Sequence, residues 1–374
     1  MTSQTLTGRL VLDDRVAPGR LTIDGGVISR VEVDAADVPG DAPYITPGFV
    51  DVHVHGWGGH DAMGDSAALD GMARGLLRRG VTSFLPTAVT APFDDLTAFA
   101  ERVRRWIPSA PADGAEPLGF NLEGPFLASA KRGAHAAAHL FTPASAPAET
   151  VERLVAGLRL TTIAPELDGA QDLISWLHQR GVRVSVGHSA ADADTVWSAY
   201  QAGARSTTHL FNAMTGIDHR SPGVAVAALL EDDAYVELIA DGVHVHPALW
   251  PLITRLKPRD RLLLVSDALP VAGAAEGRGR IGGLDVEVRD GRATLAGTDT
   301  LAGSVIALDS AVRNATRAGI PLVDAVAAAT RNPLELLGIG DRGHLATSQR
   351  ADLVELDEDL GIRRVMRGGT WVDA

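Results

Sequence analysis

Short runs of apolar residues ending in polar or ionisable ones recur through the middle of this chain, and helical stretches separate most of them. The runs are FVDVHVH from Phe49, VTSFLPTA from Val81, LGFNLEGP from Leu118, TTIAPE from Thr161, VRVSVGHS from Val182, STTHLFNAM from Ser206, YVELIADGVHV from Tyr235 and LLLVSDA from Leu262. Apolar residues at three- and four-residue spacing predict helices over 68–79, 94–107, 149–158, 171–180, 193–202 and 247–256, and two more over 304–318 and 321–337. Near-continuous apolar strands alternating with helices imply a parallel sheet covered by helices, and eight is the number that closes a (β/α)8 barrel.

The texture changes at both ends. GRLVLDD and RLTIDGGVISRVEV near the start, and ADLVELD and RRVMRGGTWV near the finish, read as short alternating strands. Neither piece is long enough to bury a core alone, so the two are expected to pair. The predicted class is α/β: a TIM-like (β/α)8 barrel over 47–343, inserted between two halves, 1–46 and 344–374, of one small β-sandwich domain. A glycine-rich interruption near 270–303 contains LDVEVRDGRATLAG, a hairpin turning at Asp290-Gly291.

Composition narrows the chemistry. The 374 residues are 45% apolar, enough for a large core, and carry a formal charge of −13 spread along the chain. That charge argues against nucleic acid and anionic membranes as partners, and it requires any anionic substrate to be held by local cations. With no cysteine, thiol catalysis and disulfides are excluded, and a metal must be held by His, Asp and Glu. The first residues lack a basic segment followed by an apolar core, so an unexported, cytoplasmic protein is expected.

Barrel enzymes place catalysis at the C-terminal ends of their strands. Here those ends carry His53 and His55, Glu123, His188, His209, His244 and Asp267. His53 and His55 are two apart, so they share one face of a strand, and Gly56, Gly58 and Gly59 allow a sharp turn after them. Imidazoles and carboxylates are ligands for a borderline ion such as Zn2+, and this set suffices for one or two divalent ions. Glu123 read as an ordinary turn acid would be a costly unpaired charge after a buried strand. His188 and His209 read as core histidines, and Asp267 as a helix cap, are the plainer alternatives. His178, His219 and His344 fall in loops or helices and read as surface residues.

The runs PGFVDVHVHG, NLEGPF, IAPE, VGHS, THLFNAM, ADGVHV, VSDA and TLAGS stand in the order seen in N-acetylglucosamine-6-phosphate deacetylases of the amidohydrolase superfamily, and the chain resembles that family over about Pro47 to Gly343. The resemblance implies hydrolysis of N-acetyl-D-glucosamine 6-phosphate to D-glucosamine 6-phosphate and acetate. It implies Glu123, His188 and His209 as ligands of a principal metal, Asp267 as catalytic acid/base, and His135 as the group that polarises the acetamide carbonyl. It further implies substrate contacts from His244, Asn212, Ala213, Ala302, Gly303 and Ser304, and a homodimer in which Arg220 reaches the neighbouring subunit's phosphate. Some family members lack the paired histidines and work with one ion. Here His53 and His55, with Asp267 and a bridging Glu123, would complete a second site, taking Zn, Fe, Mn or Co. Two other readings stand beside this one: a metal-dependent amidohydrolase acting on a different N-acyl or cyclic amide, and a barrel kept as an assembly scaffold. The scaffold would have lost its ligands, whereas this chain keeps the full set. The small residues of the 131–140 loop would permit it to move.

Overall fold

The computed structural model describes residues 3–274 and 276–372. Eight parallel strands lie side by side in chain order: β1 (Phe49–Val54), β2 (Val81–Val89), β3 (Phe120–Glu123), β4 (Leu158–Ile163), β5 (Arg183–Val186), β6 (Ser206–Thr207), β7 (Tyr235–Ile239) and β8 (Leu262–Val265). A parallel bridge between Val54 and Ala268, just past β8, brings the last strand back to the first and all but closes a barrel. Every residue of β2 is buried, which is why these strands read as unbroken apolar runs: one face meets the barrel interior and the other meets helices.

Helices α1 (Ser66–Leu77), α2 (Phe93–Trp106), α3 (Ala148–Val155), α4 (Ala170–Gln179), α5 (Ala193–Ala202), α6 (Val224–Leu230) and α7 (Trp250–Leu256) fill the connections. Their limits follow local chemistry. The Asp65 carboxylate accepts the Ala68 N–H at 2.9 Å and starts α1, and Asp192 does the same for Thr195 at the head of α5. Helix α5 ends at Gly203, φ 119°, where a Cβ would lie 2.5 Å from the His178 ring.

Three predicted helices are corrected. The 149–158 helix is shorter because Leu158 already belongs to β4. The 304–318 helix is α8, Leu308–Arg317, because Ser304 bridges to Ala268 at the barrel rim. The 321–337 helix is two, α9 (Leu322–Ala329) and α10 (Arg331–Leu337), broken at Thr330. Pro333 lacks an N–H, and its ring would meet the Ala329 carbonyl in a continuous helix. Helix α6 went unpredicted: VAVAALL has no polar face to set a period.

The chain ends form a single seven-stranded mixed sheet, in which Leu353–Leu356 lies antiparallel to Tyr44–Pro47 and so joins the two halves. Its core gathers Leu10, Leu21, Ile28, Ile45, Leu353 and Met366. The glycine-rich stretch is a three-stranded antiparallel sheet, Gly277–Ile281, Leu284–Arg289 and Arg292–Leu295, with the last turn at Asp290-Gly291 as its sequence predicted. No helix among the described residues is long and apolar enough to cross a membrane.

An ion cluster fastens the barrel to the terminal sheet. Glu116, beside β2, accepts from Arg342 at 3.1 Å and from Arg350, with Arg367 at 3.6 Å, while Arg350 also holds Asp352 at 3.2 Å. Burial works to raise the Glu116 pKa, but the charges of Arg342 and Arg350 outweigh it and hold the carboxyl below its usual value. Glu116→Ala should therefore destabilise the fold by about 2–4 kcal/mol, the cost of removing the anion that three partly buried cations share, although Asp341 and Asp352 still face two of them. Urea unfolding measures this. Because the folded pKa is the lower one, the contribution is full above the ordinary glutamate value of about 4.3 and is lost as pH falls through the folded pKa, so variant and parent should converge in acid.

Candidate active site

Six of the predicted residues meet at the C-terminal mouth of the barrel around one carboxylate. Glu123, the last residue of β3, is 3% exposed and presents its two oxygens to different neighbours. Oε1 lies 2.9 Å from His188 Nε2 and 2.8 Å from His209 Nε2, and those two nitrogens are 3.1 Å apart. Oε2 lies 3.2 Å from His55 Nε2, 3.3 Å from His135 Nε2 and 3.6 Å from His53 Nε2. Asp267 Oδ1 closes this second lobe, 3.1 Å from His55 and 3.7 Å from His53.

The backbone is bent to achieve this. His188, His209 and Asp267 have φ of 47°, 26° and 48°, the left-handed region, as do Phe211 and Ala213 at 76° and 48°. An L-residue held there costs about 1–3 kcal/mol, so neighbours must impose the geometry. Glu166, the acid of IAPE, accepts the Ser189 hydroxyl at 2.7 Å and the Ala190 N–H at 2.6 Å, fixing the chain just after His188. The N–H of Asp267 donates to the His53 carbonyl at 2.9 Å, and the Ser304 N–H donates to the Asp267 carbonyl at 2.8 Å.

What lies behind His53, His55 and His188 settles which nitrogen of the neutral ring carries its proton. His53 Nδ1 faces Glu237 Oε2 at 3.0 Å, His55 Nδ1 faces the Thr87 carbonyl at 3.1 Å, and His188 Nδ1 faces the Lys131 carbonyl at 2.8 Å. Each acceptor requires an Nδ1–H, which leaves Nε2 of the neutral ring as a bare lone pair aimed into the site. His135 is built the other way: the Thr90 N–H donates to its Nδ1 at 3.3 Å and the Thr90 hydroxyl, which can also donate, lies 2.9 Å from the same nitrogen, so Nε2 carries the hydrogen and faces the site as a donor. Although His135 lies close enough to Glu123 and His188 to count as a ligand, this orientation makes it a hydrogen-bond donor.

Electrostatics separates these groups further. Burial drives the His188 pKa down to about 4, so that ring is neutral. Burial also works against a charge on His55, but hydrogen bonds to Asp267 and Glu123 prevail and raise its pKa to about 9. His53 is likewise raised, by Glu123 and Glu237 against the effect of burial. Burial works to raise the pKa of both Glu123 and Asp267, but the surrounding imidazoles hold both carboxyls below their usual values. Proton and metal ion thus compete for the same imidazole nitrogens.

The residues fit a divalent cation. His53, His55, Glu123 and Asp267 offer four ligand atoms within 4.8 Å of one another, all buried, and all nitrogen or oxygen. His53 Nε2 is buried with no hydrogen-bond partner among the described residues, facing two carboxylates beyond hydrogen-bond reach. Two imidazole nitrogens and a carboxylate oxygen crowded within 3.1 Å, as in the other lobe, need a cation or a shared proton between them.

The site opens into a cavity of about 420 Å3. Asn212, Ala213, His244, Ala302 and Gly303 are on its wall, as is Lys131. His244 is held by Asp241, Nδ1 to Oδ2 2.6 Å. Ser304 and Arg220 are placed differently from these. Ser304 is buried at the rim, its hydroxyl donating to the Ser266 carbonyl. Arg220 is exposed on the 215–222 loop, its side chain against His219 at 3.2 Å, outside this chain's cavity. Of the histidines read as surface residues, His219 is exposed, whereas His178 is half-buried against Gly203 and His344 pairs with Asp13 at 3.0 Å.

Sequence reasoning missed Glu237, Thr90 and Lys131. Glu237 had a signal, an acid in the middle of the apolar run YVELIA, where a buried charge demands a partner. Thr90 acts through its N–H and hydroxyl and Lys131 through its carbonyl, contacts that no spacing along the chain announces.

A family model, the amidohydrolase family, matches residues 44–372. The chain is 38% identical over 362 residues to an N-acetylgalactosamine-6-phosphate deacetylase of Escherichia coli O157:H7, covering 95% of this chain and 93% of the relative. It is 37% identical over 385 residues to an N-acetylglucosamine-6-phosphate deacetylase of Bos taurus, covering 98% and 92%. The structure of the N-acetyl-D-glucosamine-6-phosphate deacetylase of Mycobacterium smegmatis, solved with N-acetyl-D-glucosamine-6-phosphate, superposes with a TM-score of 0.92 at 36% identity over all of both chains. The chain belongs to the amidohydrolase family. Within that family its place is among the N-acetylglucosamine-6-phosphate deacetylases, as the order of its motifs implied.

Proposed function

We propose that this protein hydrolyses the acetamide of N-acetyl-D-glucosamine 6-phosphate, releasing D-glucosamine 6-phosphate and acetate. The observation that carries the reading is Glu123 shared between two histidine pairs, with a carboxylate and a hydrogen-bond donor on the wall of a sugar-sized cavity. Glu123, His188 and His209 would hold one divalent ion, and His53, His55, Asp267 and the other oxygen of Glu123 a second. Such an ion supplies Lewis acidity, acidifying water and polarising a carbonyl.

The chain's own groups do the rest. Asp267 takes the proton of the attacking water and returns it to the departing amine, which is otherwise a poor leaving group. His135 Nε2–H donates to the oxyanion that forms at the acetyl carbon, and Thr90 holds the ring in the donating tautomer. His244, oriented by Asp241, and Asn212 meet the sugar phosphate.

Lys131 supplies a cation on the cavity wall, and Arg220 supplies a second from the neighbouring subunit of a homodimer. The exposure of Arg220, on a loop that also exposes 58% of Ile217, supports this reading. Arg220→Ala should raise KM about tenfold or more with kcat little changed, the loss of a charge-assisted contact to phosphate. An unchanged KM would place the phosphate elsewhere.

The relative that acts on the galactosamine epimer gives a second reading specific weight. Side-by-side kcat/KM for the two 6-phosphates, with unphosphorylated N-acetylglucosamine and an N-acetyl amino acid as controls, decides the substrate. A preference for either control would overturn the proposed class.

A further inference from the structure

Glu237 lies in the middle of β7, on the strand face that also carries Tyr235 and Ile239, and is 0% exposed. No Lys or Arg pairs with its carboxylate among the described residues. Oε2 accepts two hydrogens, from His53 Nδ1 at 3.0 Å and from the backbone N–H of His209 at 3.1 Å, and Oε1 has no partner. Those contacts touch one member of each lobe: His53 faces Glu123 Oε2, and His209 faces Glu123 Oε1. A carboxylate buried this deeply with no Lys or Arg beside it is expensive unless a neighbour such as His53 uses its charge.

We infer that Glu237 is the positioning residue of the second lobe. It fixes His53 as the Nδ1–H tautomer, aims the bare Nε2 between Glu123 and Asp267, and raises the electron density of that ring, so it sets how tightly a divalent cation is held there. At His209 it contacts only the main chain, so its charge bears on that ring far less. The consequence is an asymmetry: Glu237 governs the affinity of the second ion and leaves the first nearly untouched.

This inference rests on the reading that the site has two lobes, and the experiment separates the two. Metal-free full-length protein, the parent and Glu237→Gln, is titrated with Zn2+ against a chromophoric chelator, and unfolding of the metal-free proteins is followed in parallel. Glutamine keeps the shape and an acceptor oxygen but removes the charge. The parent should bind two equivalents; in the variant the weaker equivalent should lose about 10–100-fold in affinity, the usual effect of removing such a partner, while the tighter one shifts less than about threefold. Imidazole nitrogen shifts should report His53 as the Nδ1–H tautomer in the metal-loaded parent. Two equivalents of unchanged affinity in the variant would overturn the role of Glu237 and leave the two-lobed site standing. Equal weakening of both, with a lower unfolding midpoint, would make Glu237 a structural residue and overturn it as well. A parent that binds a single equivalent would remove the two-lobed reading and this inference with it.

Discussion

Asp267→Asn should lower kcat by about 10²–10⁴-fold, the range by which a well-placed acid/base contributes, while KM changes by only a few-fold. Asparagine keeps the size and one acceptor oxygen but cannot take a proton from water or pass one to an amine. The surroundings of Asp267 make the substitution clean: its N–H donates to the His53 carbonyl at 2.9 Å and its carbonyl accepts from Ser304 at 2.8 Å, so the left-handed backbone is held independently of the side chain. Asparagine is also among the residues that tolerate that conformation best. Steady-state kinetics together with metal analysis checks the prediction. A near-normal kcat would exclude Asp267 as the proton carrier, and loss of all bound metal would recast it as chiefly a ligand.

Glu123→Gln should be as severe for a different reason. Each carboxylate oxygen serves its own lobe, Oε1 toward His188 and His209, Oε2 toward His53, His55 and His135. An amide has one acceptor oxygen, so the variant can complete one lobe at most, and its NH2 points a donor at the other. The expected result is at most one bound equivalent and activity below about 1% of the parent, with one ligand of each ion removed or neutralised. Dialysis of the unaltered protein against a chelator should abolish activity likewise, and restoring divalent metal should bring it back. Full activity after complete metal removal would overturn the metal-dependent reading.

Much of this site is legible in the sequence because barrel topology converts order into position. Once the apolar runs are recognised as parallel strands, their last residues must converge, and Glu123, His188, His209 and Asp267 follow. Residues that work from outside the strand ends are harder. His135 sits on a loop whose course the pattern leaves open, so its assignment came from the family resemblance; the Thr90 contact that makes it a donor is visible only in three dimensions. Ser304 shows what a motif leaves open: its main chain bridges to Ala268 and its hydroxyl donates to the Ser266 carbonyl, pairings that only the folded rim displays.

Composition and periodicity determined the barrel, the pairing of the two chain ends, the lack of thiol chemistry and the candidate ligand types, since these depend on residue content and on which face of a strand each residue occupies. Tertiary structure alone decided how those ligands divide. That Glu123 stands between two lobes, that His135 donates where His53, His55 and His188 accept, and that Glu237 backs His53 all depend on hydrogen bonds between residues 28 to 184 positions apart. Tautomer and lone-pair direction are properties of such contacts, and no local feature of the chain encodes them.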